Sequence, residues 1–169
     1  IFDATGVLKA SAKREITLWH EPGDVVEQSS ENIWQAIAAS VREAMAAAKI
    51  PADQVAGIGF DATCSLVLID ADDRPVTVSR SGDPARNIIV WMDHRATDQT
   101  RRINATSHPV LAYVGGVISP EMETPKLLWL SENLPASFAS AKHFFDLSDW
   151  LSYRATGSLA RSVCTVTCK

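Results

Sequence analysis

Two stretches of this chain carry the same pattern, a short apolar run with an aspartate close behind it. Residues 55–60 read Val-Ala-Gly-Ile-Gly-Phe with Asp61 next, and residues 88–91 read Ile-Ile-Val-Trp with Asp93, His94 and Arg95 just beyond. Short apolar runs bounded by polar or turn-forming residues predict buried strands. Residues 65–70 predict a third strand, ended by the polar turn Ala71-Asp72-Asp73-Arg74-Pro75, and residues 76–79 a further short one. A different period governs residues 30–49. There Trp34, Ile37, Val41, Met45 and Ala48 fall on one face of a helix that Ser29-Ser30 can cap and Pro51 ends.

The remaining pattern is read in the same way. Residues 1–19 predict a β-hairpin turning at Gly6, residues 20–24 a loop, and residues 93–105 a helix with Asp93 at its N-cap. Ser119-Pro120-Glu121 opens a helix running to Asn133, with a kink expected at Pro125. Phe144-Phe145 lies in a strand, a short helix starts at Asp149 and stops at Gly157, and residues 162–167 look β-like. Strands alternating with helices make the class α/β. Ligands in open α/β sheets sit at strand ends, which directs attention to Asp61–Cys64 and to Trp91, Asp93 and Arg95. The chain opens like the tail of a strand and stops inside a β-like run, so a piece of a longer protein is expected.

Composition narrows the picture by exclusion. With 169 residues, 46% of them hydrophobic and 21% charged, the chain can bury a core of ordinary size. A net charge of -4 without a basic cluster gives no footprint for nucleic acid or an anionic membrane. No run approaches the ~20 apolar residues that span a bilayer. Cys64, Cys164 and Cys168 are an odd number without CxxC spacing, which favours reduced thiols and a cytoplasmic setting over a zinc site.

Three chemistries compete for the polar residues. Phe2-Asp3-Ala4-Thr5-Gly6 resembles the nucleophile motif of haloacid-dehalogenase phosphotransferases, yet the same residues are those of a tight turn. A Ser or Cys nucleophile paired with His20, His94, His108 or His143 lacks any Gly-x-Ser-x-Gly elbow. The third chemistry is polyol or sugar binding, which needs acceptor carboxylates, cationic or hydroxyl donors, and an apolar wall. Asp61, Thr63, Asp93, Arg95 and Trp91 supply such a set, and Lys126 adds a mobile donor from a helix. Each has a plainer reading: Asp93 as a cap, Arg95 as its ion-pair partner, Trp91 as core. Asp61 is the hardest to explain away, because an acid behind a buried strand must find a partner or face a ligand.

These residues resemble the FGGY family of carbohydrate kinases, of the actin-like ATPase superfamily. The run Gly57-Ile58-Gly59-Phe60-Asp61-Ala62-Thr63-Cys64-Ser65-Leu66-Val67 is similar to the family's substrate segment, and Thr63 to Val67 is close to a D-ribulokinase signature. Trp91-Met92-Asp93-His94-Arg95 resembles its Trp-x-Asp-x-Arg element, Pro125-Lys126-Leu127-Leu128 its Pro-Lys-Leu-Leu element, and Asp149-Trp150-Leu151 with Thr156-Gly157 a later stretch. The resemblance implies a ribonuclease H-like domain, a mixed sheet with flanking helices, present here in part. Residues 1–169 would be part of the N-terminal sugar-kinase domain, without its first phosphate-loop strand, its ATP-binding second domain or the general-base Asp. It implies ATP and Mg²⁺ as cofactors, a small sugar as partner, and room for a homodimer. The activity it implies is phosphorylation of a pentulose, D-ribulose foremost, by the full-length protein, with this piece alone inactive. Alternatives are a kinase for L-ribulose, xylulose or a polyol, a non-catalytic sugar-binding module, and the haloacid-dehalogenase chemistry. Asp61, Ala62, Thr63 and Cys64 would line the sugar site, Lys126 would donate to ketose oxygens, Trp91 would wall the pocket, and Asp93 with Arg95 would brace the strand end or reach the sugar.

Overall fold

One line drawn across the sheet explains most of the architecture. It runs from Glu27 to Ile89 to Leu66 to Asp146, one residue on each of four neighbouring strands. The computed structural model describes residues 1–168, with the side chain of Cys168 left aside. In chain order its regular elements are β1 (Trp19–Glu21), β2 (Val25–Gln28), α1 (Ser30–Ala48), β3 (Leu66–Ile69), β4 (Ile88–Ile89) and α2 (Thr97–Ala105). There follow α3 (Glu123–Asn133), α4 (Pro135–Ser140), β5 (His143–Asp146), α5 (Leu147–Thr156) and α6 (Val163–Cys168), with short 3₁₀ turns at Ala52–Gln54 and Pro109–Val114. The five strands form a sheet in the order β1-β2-β4-β3-β5, and the pairings between its neighbours are antiparallel.

Alternation along the strands splits the core in two. Val67, Ile69, Ile88 and Phe145 meet Ile33 of α1 and Leu147, Trp150 and Leu151 of α5 on one face. Leu66, Leu68 and Ile89 meet Val76, Val78, Ala96, Trp129 and Leu130 on the other. Strand β3 is therefore buried on both sides, which is why Leu66-Val67-Leu68-Ile69 is continuously apolar. Each of the Val, Leu, Ile and Phe side chains among these contributes roughly 1.5–3 kcal/mol by leaving water.

Helix α1 forms as its sequence predicts. Ser29 accepts a hydrogen bond from the Asn32 N–H, and Lys49 closes the helix in the left-handed region at φ 55°. Its apolar stripe extends past the sheet. At ~1.5 Å per residue the helix is about twice as long as the strands beneath it, so Trp34 and Ile37 pack on the core while Val41 is exposed.

Several expectations are corrected. Residues 55–60 form no strand; all but half-buried Phe60 are exposed. The opening hairpin does turn at Gly6 but is shorter than expected, pairing residues 1–3 with 7–10 through bonds from the Asp3 N–H to the Val7 carbonyl (3.0 Å) and from the Lys9 N–H to the Ile1 carbonyl (2.8 Å). The predicted loop at 20–24 is instead the end of β1 and its turn into β2. Asp93 is not an N-cap, since α2 starts four residues later with Ala96 at that position. Pro125 causes no kink, because it falls in the first turn of α3, where its missing N–H would go unbonded anyway. Residues 163–167, predicted to be β-like with Ser162, are helical. There the Ser162 hydroxyl accepts the Cys164 N–H at 3.2 Å as a local N-cap, and the Asp149 carboxylate accepts from the Ser162 N–H and the Thr165 hydroxyl; together these ties override the β-propensity of Val and Thr.

Candidate functional site

Antiparallel pairing decides which predicted residues meet. Leu66 of β3 lies opposite Ile89 of β4, so the residues before β3 and those after β4 emerge at the same edge of the sheet. Residues 63–65 make a tight turn there, closed by a 2.8 Å bond from the Ser65 N–H to the Thr63 carbonyl. The fully buried Ser65 hydroxyl accepts the Trp91 N–H at 3.1 Å and lies 3.4 Å from the Thr63 hydroxyl. The two segments singled out in the sequence are thus joined through Ser65, a side chain that sequence reasoning left without a role.

Lys126 comes to the same edge from α3. Its ammonium donates to the carbonyls of Val90 (2.9 Å), Trp91 (3.0 Å) and Glu121 (3.1 Å), and the residue is 0% exposed. This corrects the picture of a mobile donor. Each of its N–H protons has a carbonyl within reach, and the group ties the end of β4 to the start of α3. Glu121, also missed in the sequence, contributes that third carbonyl, and its carboxylate stands 3.4 Å from the His94 ring. Thr63, half-buried Cys64, half-buried Trp91 and Lys126 are therefore neighbours in one frame. Ala62 is turned inward against the α1 face of the core, beside Phe60, whose ring lies 6.4 Å from that of Trp34. Asp61 stands exposed, so the argument from a buried strand behind it does not apply.

Asp93 and Arg95 belong to a different construction. Asp93 is 0% exposed, and its carboxylate accepts the Val26 N–H at 2.6 Å, the Arg95 N–H at 2.9 Å and the Arg95 guanidinium. The Arg95 guanidinium also donates to Glu27 and to the Val78 carbonyl, both at 2.8 Å, and lies 4.9 Å over the Trp129 ring. Glu27 in turn accepts from Arg86 at 2.6 Å, and Arg86 reaches Glu21 at 2.9 Å. Burial alone would lower the Arg86 pKa; hydrogen bonds and charge from Glu21 and Glu27 outweigh it and shift it upward. The chain of charges braces β1, β2 and β4 against α3. A recess of about 510 Å³ opens above it, lined by Glu21, Glu27, Ser79, Arg80, Arg95 and Trp129 among others. The buried charges on its floor are already bonded to one another.

The rival chemistries find less support. The Asp3 carboxylate takes up Lys9 at 2.8 Å, the Thr5 hydroxyl at 2.6 Å, and the N–H groups of Thr5 and Val7. Lys9 first, then Thr5 and Val7, hold its pKa below the usual carboxylate range, and the residue is a turn-former in the opening bridge. His20, His94, His108 and His143 sit on four separate segments: β1, the turn after β4, the start of a 3₁₀ helix, and β5. Among the described residues no three His, Cys, Asp or Glu side chains group as a metal site. None of the described residues is assigned to Mg²⁺ or to a nucleotide. No helix among the described residues is long and apolar enough to cross a membrane.

Comparison with known proteins decides the family. Residues 1–168 match the N-terminal domain of the FGGY family of carbohydrate kinases. The chain belongs to this family. An FGGY carbohydrate kinase domain-containing protein of Homo sapiens is 49% identical over 170 residues, covering 100% of this chain and 30% of that protein. A D-ribulokinase of Saccharomyces cerevisiae is 40% identical over 171 residues, again over 100% of this chain and 24% of the yeast protein. The chain thus spans less than a third of the length of these relatives. Among solved structures, a ligand-bound xylulose kinase from Lactobacillus acidophilus superposes with a TM-score of 0.82 at 20% identity, over 98% of this chain and 32% of that one. The FGGY assignment carries the actin-like fold that the sequence led us to expect.

Proposed function

We propose that this FGGY domain binds the acceptor in an ATP-dependent pentulose kinase, and that the full-length protein phosphorylates D-ribulose at its terminal hydroxyl. The observation that carries this reading is the convergence of Thr63, Cys64, Trp91 and Lys126 on one sheet edge, locked by Ser65 and by three backbone carbonyls. The 40% identity to a yeast D-ribulokinase favours D-ribulose within the class. ATP with Mg²⁺ is the phosphoryl donor this reading requires, and the residues described here serve the acceptor side. Thr63 and Cys64 face the sugar, Trp91 walls it, and exposed Asp61 accepts from its hydroxyls, with Ala62 setting the backbone between them. Asp93 and Arg95 brace the strand end without touching sugar. Lys126 holds the frame of the site and exchanges one carbonyl partner for a ketose oxygen when the sugar arrives.

The test is ATP turnover by the full-length protein in a coupled ADP assay, across D-ribulose, L-ribulose, xylulose and polyols. Selective turnover of D-ribulose supports the proposal. Selectivity for another ketose or a polyol keeps the kinase and replaces the substrate, and no sugar-dependent turnover favours a binding module. In the same assay Lys126→Ala is expected to raise the sugar KM about tenfold or more while leaving the ATP KM within about twofold. An unchanged sugar KM would remove Lys126 from the site.

A further inference from the structure

The polarity of the hydrogen bonds around Ser65 has a bearing on which sugars fit. A serine hydroxyl carries one proton and two lone pairs. The Ser65 oxygen receives the Trp91 N–H at 3.1 Å, which uses one lone pair and leaves its proton to be placed. Among the described residues the hydroxyl partner recorded for it is Thr63 Oγ1, at 3.4 Å. That separation is long for two hydroxyls, so the contact has room to tighten when a ligand presses on the turn. With buried Ser65 donating outward along this line, Thr63 accepts, and its own proton is left to point away from the sheet. Thr63 is exposed, so that proton faces the space in which a sugar would lie. The 2.8 Å backbone bond from Ser65 to Thr63 fixes the turn that aims it.

We propose that Ser65 is a positioning residue that makes Thr63 a fixed hydrogen-bond donor, and that this donor selects the carbonyl oxygen of an open-chain ketose. This inference rests on the pentulose-kinase reading above. A ketone oxygen only accepts, so it matches a donor of fixed polarity. An alditol hydroxyl both donates and accepts, so it is served equally well by a Thr63 side chain free to rotate. Removing the Ser65 hydroxyl releases Thr63 and leaves the Trp91 N–H without its acceptor. The ketose then loses more than the alditol of the same length does.

The experiment measures Kd for D-ribulose and for ribitol by titration calorimetry on the full-length protein and on its Ser65→Ala variant. The expected result is a loss of about five- to tenfold for D-ribulose, against about twofold or less for ribitol, in line with the small net worth of one hydrogen bond. The ATP KM is expected to stay within about twofold, and Ser65→Cys, which keeps a weak donor, to fall between the two proteins. Equal weakening of both ligands, or no change in either, overturns the inference by giving Ser65 a purely structural role or none. Thr63→Val reads out the same ratio at an exposed position should Ser65→Ala fail to fold. If the unsubstituted protein does not bind D-ribulose, the functional reading fails and this inference with it. If it binds D-ribulose but the ketose-to-alditol ratio is unmoved by both substitutions, this inference alone fails.

Discussion

Residues 55–61 and residues 88–95 begin from nearly the same pattern and end in opposite environments. In the second, Ile88 and Ile89 lie between two strands with no exposed surface, and Asp93 is fully buried in a network with Arg95 and the Val26 N–H. In the first, Ile58 is 73% exposed and Asp61 lies in solvent. What separates them is backbone pairing. The N–H and C=O groups of β4 are served by β2 and β3 on either side, whereas none of the described strands pairs with residues 55–60. An apolar run becomes a strand only where its polar backbone is satisfied. The lesson for aspartate follows from that: the acid behind the paired run is buried and had to find a cation, and the acid behind the unpaired run is available to a ligand.

Substitutions can break this contrast. The largest effect is expected for Asp93→Ala, which leaves Arg95 buried without its nearest carboxylate and should cost about 3–5 kcal/mol in urea unfolding of the full-length protein. Asp61→Ala should fall within about 0.5 kcal/mol. Comparable losses at both positions would mean that the two acids share one environment after all. Next comes Ile88→Ala, expected to cost about 2–5 kcal/mol through the cavity it opens between the sheet and α5. Ile58→Ala, judged by its exposure, should cost about 0.5 kcal/mol or less in the same titration. A large loss at Ile58 would show that residues 55–60 are covered in the full-length protein.

The smallest effect concerns pH. The Asp70 carboxyl is held below its ordinary value of 3.8, first by the Arg74 N–H; burial pushes back, and the Asp72 N–H and the Arg74 charge add to the lowering. Because its folded pKa is depressed, the stability it contributes is present above about pH 4. It is lost as pH falls through the depressed value. Asp70→Asn should therefore lower stability slightly and evenly above about pH 4 and leave it unchanged well below the depressed value, so that the acid limb of a stability-versus-pH curve flattens. A loss as large at low pH as at neutrality would contradict the assignment.

How far the fold could be read in advance depended on how local its causes are. Helix α1 was legible because Ser29, the apolar stripe and Pro51 lie within or beside it. Strands β3 and β4 were legible because both are apolar runs between turns. Helix α6 was not, since its Val and Thr residues read as a strand and the Asp149 carboxylate that supports its Ser162 cap lies 13 residues away. In the site, Thr63, Trp91 and Lys126 were visible as motif residues, yet nothing in the sequence states the register that brings them together. That register assigns Ser65 its two partners and sends the Arg95 guanidinium toward Glu27 and Val78. The brace formed by Glu27 and Arg86 went unnoticed for the same reason, as its partners lie 59 residues apart.

The three carbonyls around Lys126 solvate its ammonium much as water would, but from fixed positions. Salt in solution screens charges that face it over roughly 8 Å at physiological ionic strength, and a fully buried amine held by backbone dipoles lies outside that influence. An exposed tie such as Arg102 to Glu132, at 2.7 Å on the helix surface, does not share that shelter. The edge where β4 meets α3 should therefore keep its shape across a wide range of ionic strength while surface contacts between the helices loosen.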